Sequence, residues 1–539
     1  DVSLDHEVFV SLAADTTTFD LALQVAGVPL TMHGTIGVTP ESIAVRGLAI
    51  RSGPVSIDAG VQLAGLQMEH PQLAHADVSG TLRLDEIGDI VVLPDNTTVG
   101  GTISFQLAAS GPLHEPVRMS VNGGISLENV HASMPDLPVP VKRLDGSVEI
   151  APTRISVDDM GLWIGSSELH LHEASVTDYL GLIADPTGGR TPRVRFTLRG
   201  PLLNLDELMI ESPPYADDDV VIPAAGIPPM LLDGTIHIAR IMYAEAAFAD
   251  LRATTTGRDR RVDVDGTTNA FEGTVAFGGW LDLSEPDHAR YAGRWDVESV
   301  QANAMVETFT DYDDRFHGAA FTSGVVNGTG NTYGDVIQNL TMRTNFRAGN
   351  GHLNNWDLVQ RTSVQVAQGI DRVRPGLGSR TVERMGLNHS RFPYGQLDGG
   401  ASLTNEVLNL NNIGVTASDQ DWRIEGTIDS AFDTVSTLDL NARLTFSEEI
   451  TRELATAAAG AINLATPVTG EEIARQLKPA NRLRILLPIR GTSVDPHVGL
   501  PDLMVPFRKA AESAIRARAQ QLKQQADEEV REQATEAVG

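Results

Sequence analysis

Asp233-Gly-Thr-Ile-His-Ile238 is the stretch that decides the fold. It has a polar residue, a glycine, a β-branched hydroxyl residue, and then two apolar residues separated by one polar position. Glycine permits a turn or a bulge, threonine favours extended backbone, and alternating apolar residues turn one face of a strand toward a hydrophobic region. This pattern predicts the start of a half-buried β-strand.

The same pattern recurs along the chain, which predicts a protein that is mainly β. Other runs alternate apolar and polar residues without the glycine, as in residues 194–198 and 438–446, and these also predict strands. The spacing between recurrences is irregular, which excludes a solenoid of fixed period. The further copies begin at His33, Ser79, Gly100, Asp145, Glu272, Asp398 and Glu425.

The composition excludes several classes of protein. The 539 residues contain 41 Lys+Arg and 71 Asp+Glu, a formal net charge of −30, so we expect no nucleic-acid partner. A salt-rich source would explain the same charge. The absence of cysteine excludes disulfides, thiolate metal sites and cysteine nucleophiles. Aromatic residues make up 5% and there are 50 glycines, which favours many strands and turns.

No motif nominates a catalytic residue, a cofactor site or a metal site. A P-loop, an H-E-x-x-H zinc pair and a G-x-S-x-G elbow are all absent. His170 and His172 flank Leu171 on a predicted strand and would share one face, as metal ligands can. The sequence places no third ligand beside them, so solvent-facing histidines are the favoured interpretation. We therefore expect no enzymatic activity, no cofactor and no bound metal.

Changes in composition divide the chain into segments. A Pro/Asp-rich stretch interrupts the strand pattern after residue 211, and helical spacing replaces it after residue 446 and again from about residue 504. The predicted organisation is a first part of the sheet at 1–211, a loop or linker at 212–230, a continuing sheet at 231–446, a helical insertion at 447–480, closing strands at 481–503 and a C-terminal amphipathic helix at 504–539.

Short motifs follow one another in a constant order between about residues 100 and 515. Residues 137–150 (Leu-Pro-Val-Pro-Val-Lys-Arg-Leu-Asp-Gly-Ser-Val-Glu-Ile) are followed by a strand pair at residues 154–171 that contains Gly-Ser-Ser-Glu-Leu. This order resembles the AsmA-like family, the AsmA/TamB-type bridge-like lipid transfer proteins of the Gram-negative envelope. Further matches lie at residues 349–358, 397–410, 422–430, 438–444 and 487–498.

The resemblance implies a long antiparallel sheet curled into a U-shaped, taco-like hydrophobic groove, with a few short helices and a C-terminal helix. It implies a periplasmic protein that carries phospholipid or another acyl lipid between the inner and outer membranes. The family has a membrane anchor near its N-terminus that this sequence does not show. We therefore expect an inner-membrane anchor and the first part of the groove to lie upstream, and an outer-membrane partner of unknown identity.

Two groups of residues are candidates for lipid and membrane contact. On the C-terminal helix, Phe507 and Ile515 would cap the groove or touch a membrane, or would simply pack on the last strands. A packed β-sandwich of structural or adhesin type remains an alternative, because it shows the same alternation, and a carbohydrate-active enzyme is a third reading. The candidate groove-lining residues are Ile103, Phe105, Leu107, Val148, Ile150, Ile236, Ile238, Val275, Phe277, Leu438, Leu440, Leu444 and Phe446.

Overall fold

The prediction of a mainly β protein is confirmed. In a computed structural model, 60% of the described residues are in strands and 20% are in helices. The structure describes the chain except residues 1, 4–8, 14–15, 26–27, 90–92, 116–117, 136, 180–190, 210–218, 223–228, 286–287, 310–313, 355–356, 386–390, 431–434, 463–466, 478–479 and 537–539.

Backbone contacts divide the chain into two compact units. The first unit consists of Asp1–Ala270, Val275–Ala292 and Gly330–Tyr333. The second consists of Phe271–Thr274, Gly293–Thr329 and Gly334–Gly539. The stretch at 212–230 that the sequence marks as a linker therefore lies inside the first unit.

The first unit is a sheet with little helix in its described residues. It contains a 3₁₀ helix at Leu84–Asp89 and the short helix α1 at Leu205–Leu208. Its strands are β1 (Val2–Ser3), β2 (Phe9–Ala13), β3 (Thr16–Val25), β4 (Val28–Val38), β5 (Ser42–Ser52), β6 (Val55–Ala64), β7 (Gln72–Arg83), β8 (Thr98–Pro112), β9 (Ser120–Ser133), β10 (Val141–Ala151), β11 (Arg154–Ile164), β12 (Ser167–Thr177), β13 (Arg193–Asn204), β14 (Leu231–Tyr243), β15 (Ala246–Arg258), β16 (Arg261–Ala270) and most of β17 (Gly273–Asp282).

Consecutive strands of this sheet pair with one another from β3 to β16. All of these pairs are antiparallel except β13 and β14, which run parallel from Arg193 beside Leu231 to Asn204 beside Met242. A parallel pair needs a crossover connection rather than a hairpin, and residues 205–230 supply one. The wholly antiparallel sheet expected from the resemblance therefore has a parallel step at this point.

The second unit combines a sheet with a layer of helices. Strands β19 to β26 pair in the described order β19–β20–β21–β22–β23–β24–β25–β26. The strands are most of β18 (Arg290–Gln301), then β19 (Phe316–Thr329), β20 (Thr341–Asn354), β21 (Arg391–Thr404), β22 (Val407–Thr416), β23 (Gln420–Asp429), β24 (Thr437–Phe446), β25 (Arg484–Thr492) and β26 (Pro496–Val498). The helices are α2 (Ala302–Phe309), most of α3 (Tyr333–Gln338), α4 (Asp357–Asp371), α5 (Leu377–Arg384), α6 (Glu448–Ala461), α7 (Gly470–Gln476) and α8 (Met504–Glu536).

The large hydrophobic core lies in the second unit, between its sheet and its helices. Phe446 and Leu444 on β24 and Ile450 on α6 are all 0% exposed and belong to one cluster. That cluster also takes in Ile370 on α4 and Phe507 on α8. Helix α6 begins at Glu448, and the hydroxyl of the preceding Ser447 accepts a hydrogen bond from the backbone N–H of Ile450, as an N-cap does.

The glycines of the recurring pattern lie mostly inside strands, so the expectation that they mark strand starts is wrong. Gly146 is in the middle of β10, has a φ of 150°, and coincides with a register shift against β11. Gly101 in β8 has a φ of 96° and coincides with a shift against β9. Such positive φ values favour glycine, and an extra residue there bends the strand as a bulge. Of the eight copies, only Gly273 opens a strand.

Candidate functional site: an uncovered apolar face

One face of the first unit's sheet carries an unbroken line of apolar or glycine residues across ten neighbouring strands. Each residue is the direct cross-strand partner of the next, and none carries a charge. At about 4.8 Å per strand the line is about 43 Å long. We call it the apolar row, and from β7 to β16 it consists of Leu82, Ile103, Leu127, Gly146, Met160, Leu171, Leu198, Ile236, Ala253 and Gly266.

The apolar row is not covered by another layer in the described residues. Only Ala253 in it is buried, at 8% exposure, and the other nine residues are partly exposed. The main contacts of each strand are with its ladder neighbours, with small additions from the 3₁₀ helix and α1. The described residues of the first unit hold one small buried cluster, Leu283 with Ala289. A sheet of this size ordinarily buries its apolar face against another element, and among the described residues this face has no such element against it.

Aromatic rings lie over glycines of neighbouring strands and fill the space beside the apolar row. A Cβ on Gly80 would lie 2.9 Å from Cζ of Phe105, and a Cβ on Gly266 would lie 2.6 Å from Cζ of Phe277. Phe196 covers Gly234 in the same way. Because each ring occupies the volume that a side chain would take, the surface stays continuous and apolar at these positions.

A small cavity deepens the same face near its β14–β17 end. Its volume is about 320 Å³, and Leu232, Val262, Val264 and Leu281 are among its lining residues. Arg261 borders it, with its guanidinium 4.2 Å from the centre of the Trp280 ring. The volume lies at the lower end of the range for small-molecule sites, and the lining is of the apolar type that such sites use.

The opposite face of the sheet is polar and charged. Asp250 on β15 accepts hydrogen bonds from Arg252 and lies 3.0 Å from Nε2 of His237 on β14. These two contacts hold the pKa of the Asp250 carboxyl below its usual range, and the hydrogen bond from Arg252 has the larger effect. A depression of about 1060 Å³ lies over β6–β10, and its lining includes both residues of the polar face, such as Ser104 and Gln106, and residues of the apolar face, such as Phe105. The two faces of the sheet therefore differ in character, one being apolar and the other polar and charged.

The predicted lining residues of the first unit lie together on its apolar face. Ile103 and Ile236 are in the apolar row. Phe105 and Val148 are both cross-strand partners of Ile125, which lies two residues from Leu127 of the apolar row on β9. The other members are Leu107, Ile150, Ile238, Val275 and Phe277, of which Ile238 is 0% exposed and the rest are partly exposed.

The predicted lining residues of β24 have different surroundings. Leu440, Leu444 and Phe446 are at most 6% exposed in the core beneath the helices, and Leu438 packs at its edge. On α8, Phe507 is 1% exposed in the same core, whereas Ile515 is partly exposed. In this arrangement the side chains of β24 and Phe507 contact the protein's own helices and sheet.

Sequence reasoning missed much of this face. The apolar row includes Leu82, Leu127, Met160, Leu171 and Leu198, none of which is among the predicted lining residues. Alternation would have nominated Leu198, which lies in a recognised period-2 run. Met160 and Leu171 are harder to find, because bulges change which residues of β11 and β12 face the same side.

Comparison with protein-family models, curated protein sequences and solved structures finds no match for this chain. Among the described residues, no helix is both long enough and apolar enough to cross a membrane.

Proposed function

We propose that this chain is a lipid-handling protein of the AsmA-like type that holds acyl chains on the apolar face of its first unit. The observation that carries the proposal is the apolar row, an uncharged surface about 43 Å long that no described element covers. Contiguous apolar surface that reaches solvent is typical of sites that bind proteins, membranes or ligands. Transfer of a lipid along it requires no catalytic residue.

The dimensions suit extended acyl chains. Half of a bilayer's hydrocarbon core is about 15 Å thick, which approximates the length of one chain. The apolar row would therefore hold two to three chains end to end. Removing ten methylenes from water contributes about 8 kcal/mol, so a phospholipid would bind to this face without any specific polar contact.

The cellular role rests on the resemblance of the motifs between residues 100 and 515 to the AsmA-like family. That resemblance supports a periplasmic location, anchoring to the inner membrane, and phospholipid movement between the inner and outer membranes. The U-shaped curl of the sheet belongs to the same proposal. We favour this role over a packed β-sandwich because a sandwich would bury the apolar row, and nine of its ten residues are partly exposed.

Native mass spectrometry combined with lipid extraction tests the proposal. The purified protein should carry several phospholipids per chain. Ile236→Asp places a charge in the apolar row and should lower that number. Thr235→Asp is the matched control, since Thr235 is exposed one residue away on the opposite face, and it should leave lipid loading unchanged.

A photo-crosslinking side chain gives an independent readout of the face. At Leu107 it should capture lipid, and at Gln106, which is exposed on the polar face, it should not. A folded protein without lipid, or equal capture at both positions, would refute the proposal and favour a structural β-protein.

A further inference from the structure

A cluster of two histidines and one aspartate lies on the polar face of β11 and β12. In the antiparallel register Asp159 is the direct partner of His172, and Gly161 is the partner of His170. Ligand atoms of Asp159, His170 and His172 all lie within 4.8 Å of one another. In the part of the chain that the structure describes, these three residues are the group whose side chains are close enough to share a metal ion. The structure thus supplies the third ligand that the sequence does not place.

The regular pairing of β11 with β12 brings these three side chains together, and bulges against the neighbouring strands decide which face of the sheet they lie on. Relative to β10, strand β11 has one extra residue between Val157 and Met160. On β12, Glu173 has a φ of 49°, and the register with β13 shifts between His172 and Ser175. The bulges turn Met160 and Leu171 toward the apolar face and leave Asp159 and the two histidines on the polar one.

One of the two distances from Asp159 matches the coordination of a small divalent metal ion, and the other is slightly longer than the expected range. Oδ1 of Asp159 lies 3.3 Å from Nδ1 of His172 and 3.7 Å from Nδ1 of His170. Two ligand atoms bound tetrahedrally at about 2.0–2.2 Å from a metal lie about 3.3–3.6 Å apart. The two imidazole rings are nearly parallel, with their centroids 5.9 Å apart, and the Nδ1 atom of each ring lies near the same Oδ1 atom of Asp159.

Neighbouring side chains orient His170 as a metal ligand requires. Oε1 of Glu168 lies 3.1 Å from Nε2 of His170, so Nε2–H can donate to Glu168 while Nδ1 keeps its lone pair for a metal. A carboxylate behind a histidine is the usual support of a metal-binding imidazole. Trp163 packs edge-on against the same ring at 5.4 Å, and Gly161 leaves the room that this packing needs.

An ordinary surface ion pair explains the arrangement less well. His237 with Asp250 is such a pair, with one imidazole 3.0 Å from a carboxylate that also accepts from Arg252. Asp159, in contrast, is shared by two imidazoles, one of which has a second carboxylate behind it. Two imidazole nitrogens and one carboxylate oxygen favour zinc and related transition metals over Ca²⁺ or Mg²⁺, which prefer oxygen ligands.

We infer that Asp159, His170 and His172 form a binding site for a divalent transition metal ion, with Glu168 as a positioning residue. Three protein ligands leave a further coordination position for water or for a group from another molecule. The inference is independent of lipid binding, since the site is on the face opposite the apolar row.

Titration of the untagged, metal-stripped full chain with Zn²⁺ and with Co²⁺ tests the inference. We expect one Zn²⁺ per chain by calorimetry and a visible Co²⁺ absorption band that Zn²⁺ displaces. His172→Asn and Asp159→Asn should weaken Zn²⁺ binding at least tenfold, and Glu168→Gln should weaken it about tenfold. His237→Asn is the matched control, and its Zn²⁺ affinity should equal that of the unmodified chain.

All variants should keep the far-UV circular dichroism of the metal-free chain, which separates loss of a ligand from loss of fold. If the chain binds no stoichiometric Zn²⁺, the inference is wrong. It is equally wrong if folded His172→Asn and Asp159→Asn bind Zn²⁺ as tightly as the His237→Asn control does.

Discussion

Phe105→Ala and Phe446→Ala remove the same side chain from two strands that differ in what covers them. Phe446 is 0% exposed beneath the helices of the second unit, and truncating such a phenylalanine costs about 3–5 kcal/mol because a cavity remains. Phe105 on β8 is partly exposed. Full burial of a phenylalanine contributes about 1.5–3 kcal/mol, so we expect Phe105→Ala to cost about 1–2 kcal/mol, with no enclosed cavity.

Hydrogen exchange of the lipid-free protein, read peptide by peptide, measures the two costs. A single denaturation midpoint would mix two compact units that need not unfold together, whereas exchange reports local opening in β8 and in β24 separately. Phe446→Ala should speed exchange in β24 more than a hundredfold, and Phe105→Ala should speed exchange in β8 about five- to thirtyfold. Gln106→Ala, on the polar face of β8, is the control and should have little effect.

Equal acceleration in the two strands would refute the reasoning. It would mean that Phe105 is as well covered as Phe446 and that the apolar face of the first unit is closed. The proposal that this face holds acyl chains would then lose the observation on which it depends.

Three further outcomes follow from other contacts. Gly266→Val should destabilise the first unit by about 1–3 kcal/mol, because a Cβ there meets Phe277. Adding Phe277→Ala should cost less in the Gly266→Val background than in the unmodified chain, and full additivity of the two changes would contradict this. Hydrogen bonds from the backbone N–H and hydroxyl of Thr469 lower the pKa of Glu472. The stability that this cap contributes is therefore complete above the usual glutamate pKa and is lost as the pH falls through the lowered value. Glu472→Gln should remove this part of the pH dependence of stability in urea unfolding between pH 7 and 3. Val530 is 65% exposed on α8, so Val530→Lys should change the free energy of opening of α8, measured by hydrogen exchange, by less than about 0.5 kcal/mol. A larger loss would reveal a packing partner.

Alternation predicts the strands because each one keeps one apolar face over most of its length. It does not predict the register. Gly146 opens a strand in the sequence reading, but in the structure it is the site where β10 shifts against β11. A bulge of this kind depends on the partner strand, so no local pattern distinguishes it from a turn.

The alternation of apolar and polar residues in one strand also does not show which element covers its apolar face. Leu444 on β24 and Ile103 on β8 follow the same alternation, yet helices cover Leu444 while Ile103 is partly exposed. Likewise, the apolar side of α8 predicts that Phe507 packs on something apolar, and the structure identifies the sheet and helices of the second unit as its partner. The third member of the histidine cluster is equally hidden, since Asp159 and His172 meet only through strand pairing.

The apolar row presents an uncharged residue at every strand, from Leu82 on β7 to Gly266 on β16. A hydrocarbon chain displaced by one strand would exchange one set of apolar contacts for another and would meet no charge on the way. Motion along such a surface is a one-dimensional random walk without an internal bias. The net flow of a lipid would then follow the difference in supply and removal at the two ends, and the sheet itself would act as a passive conductor.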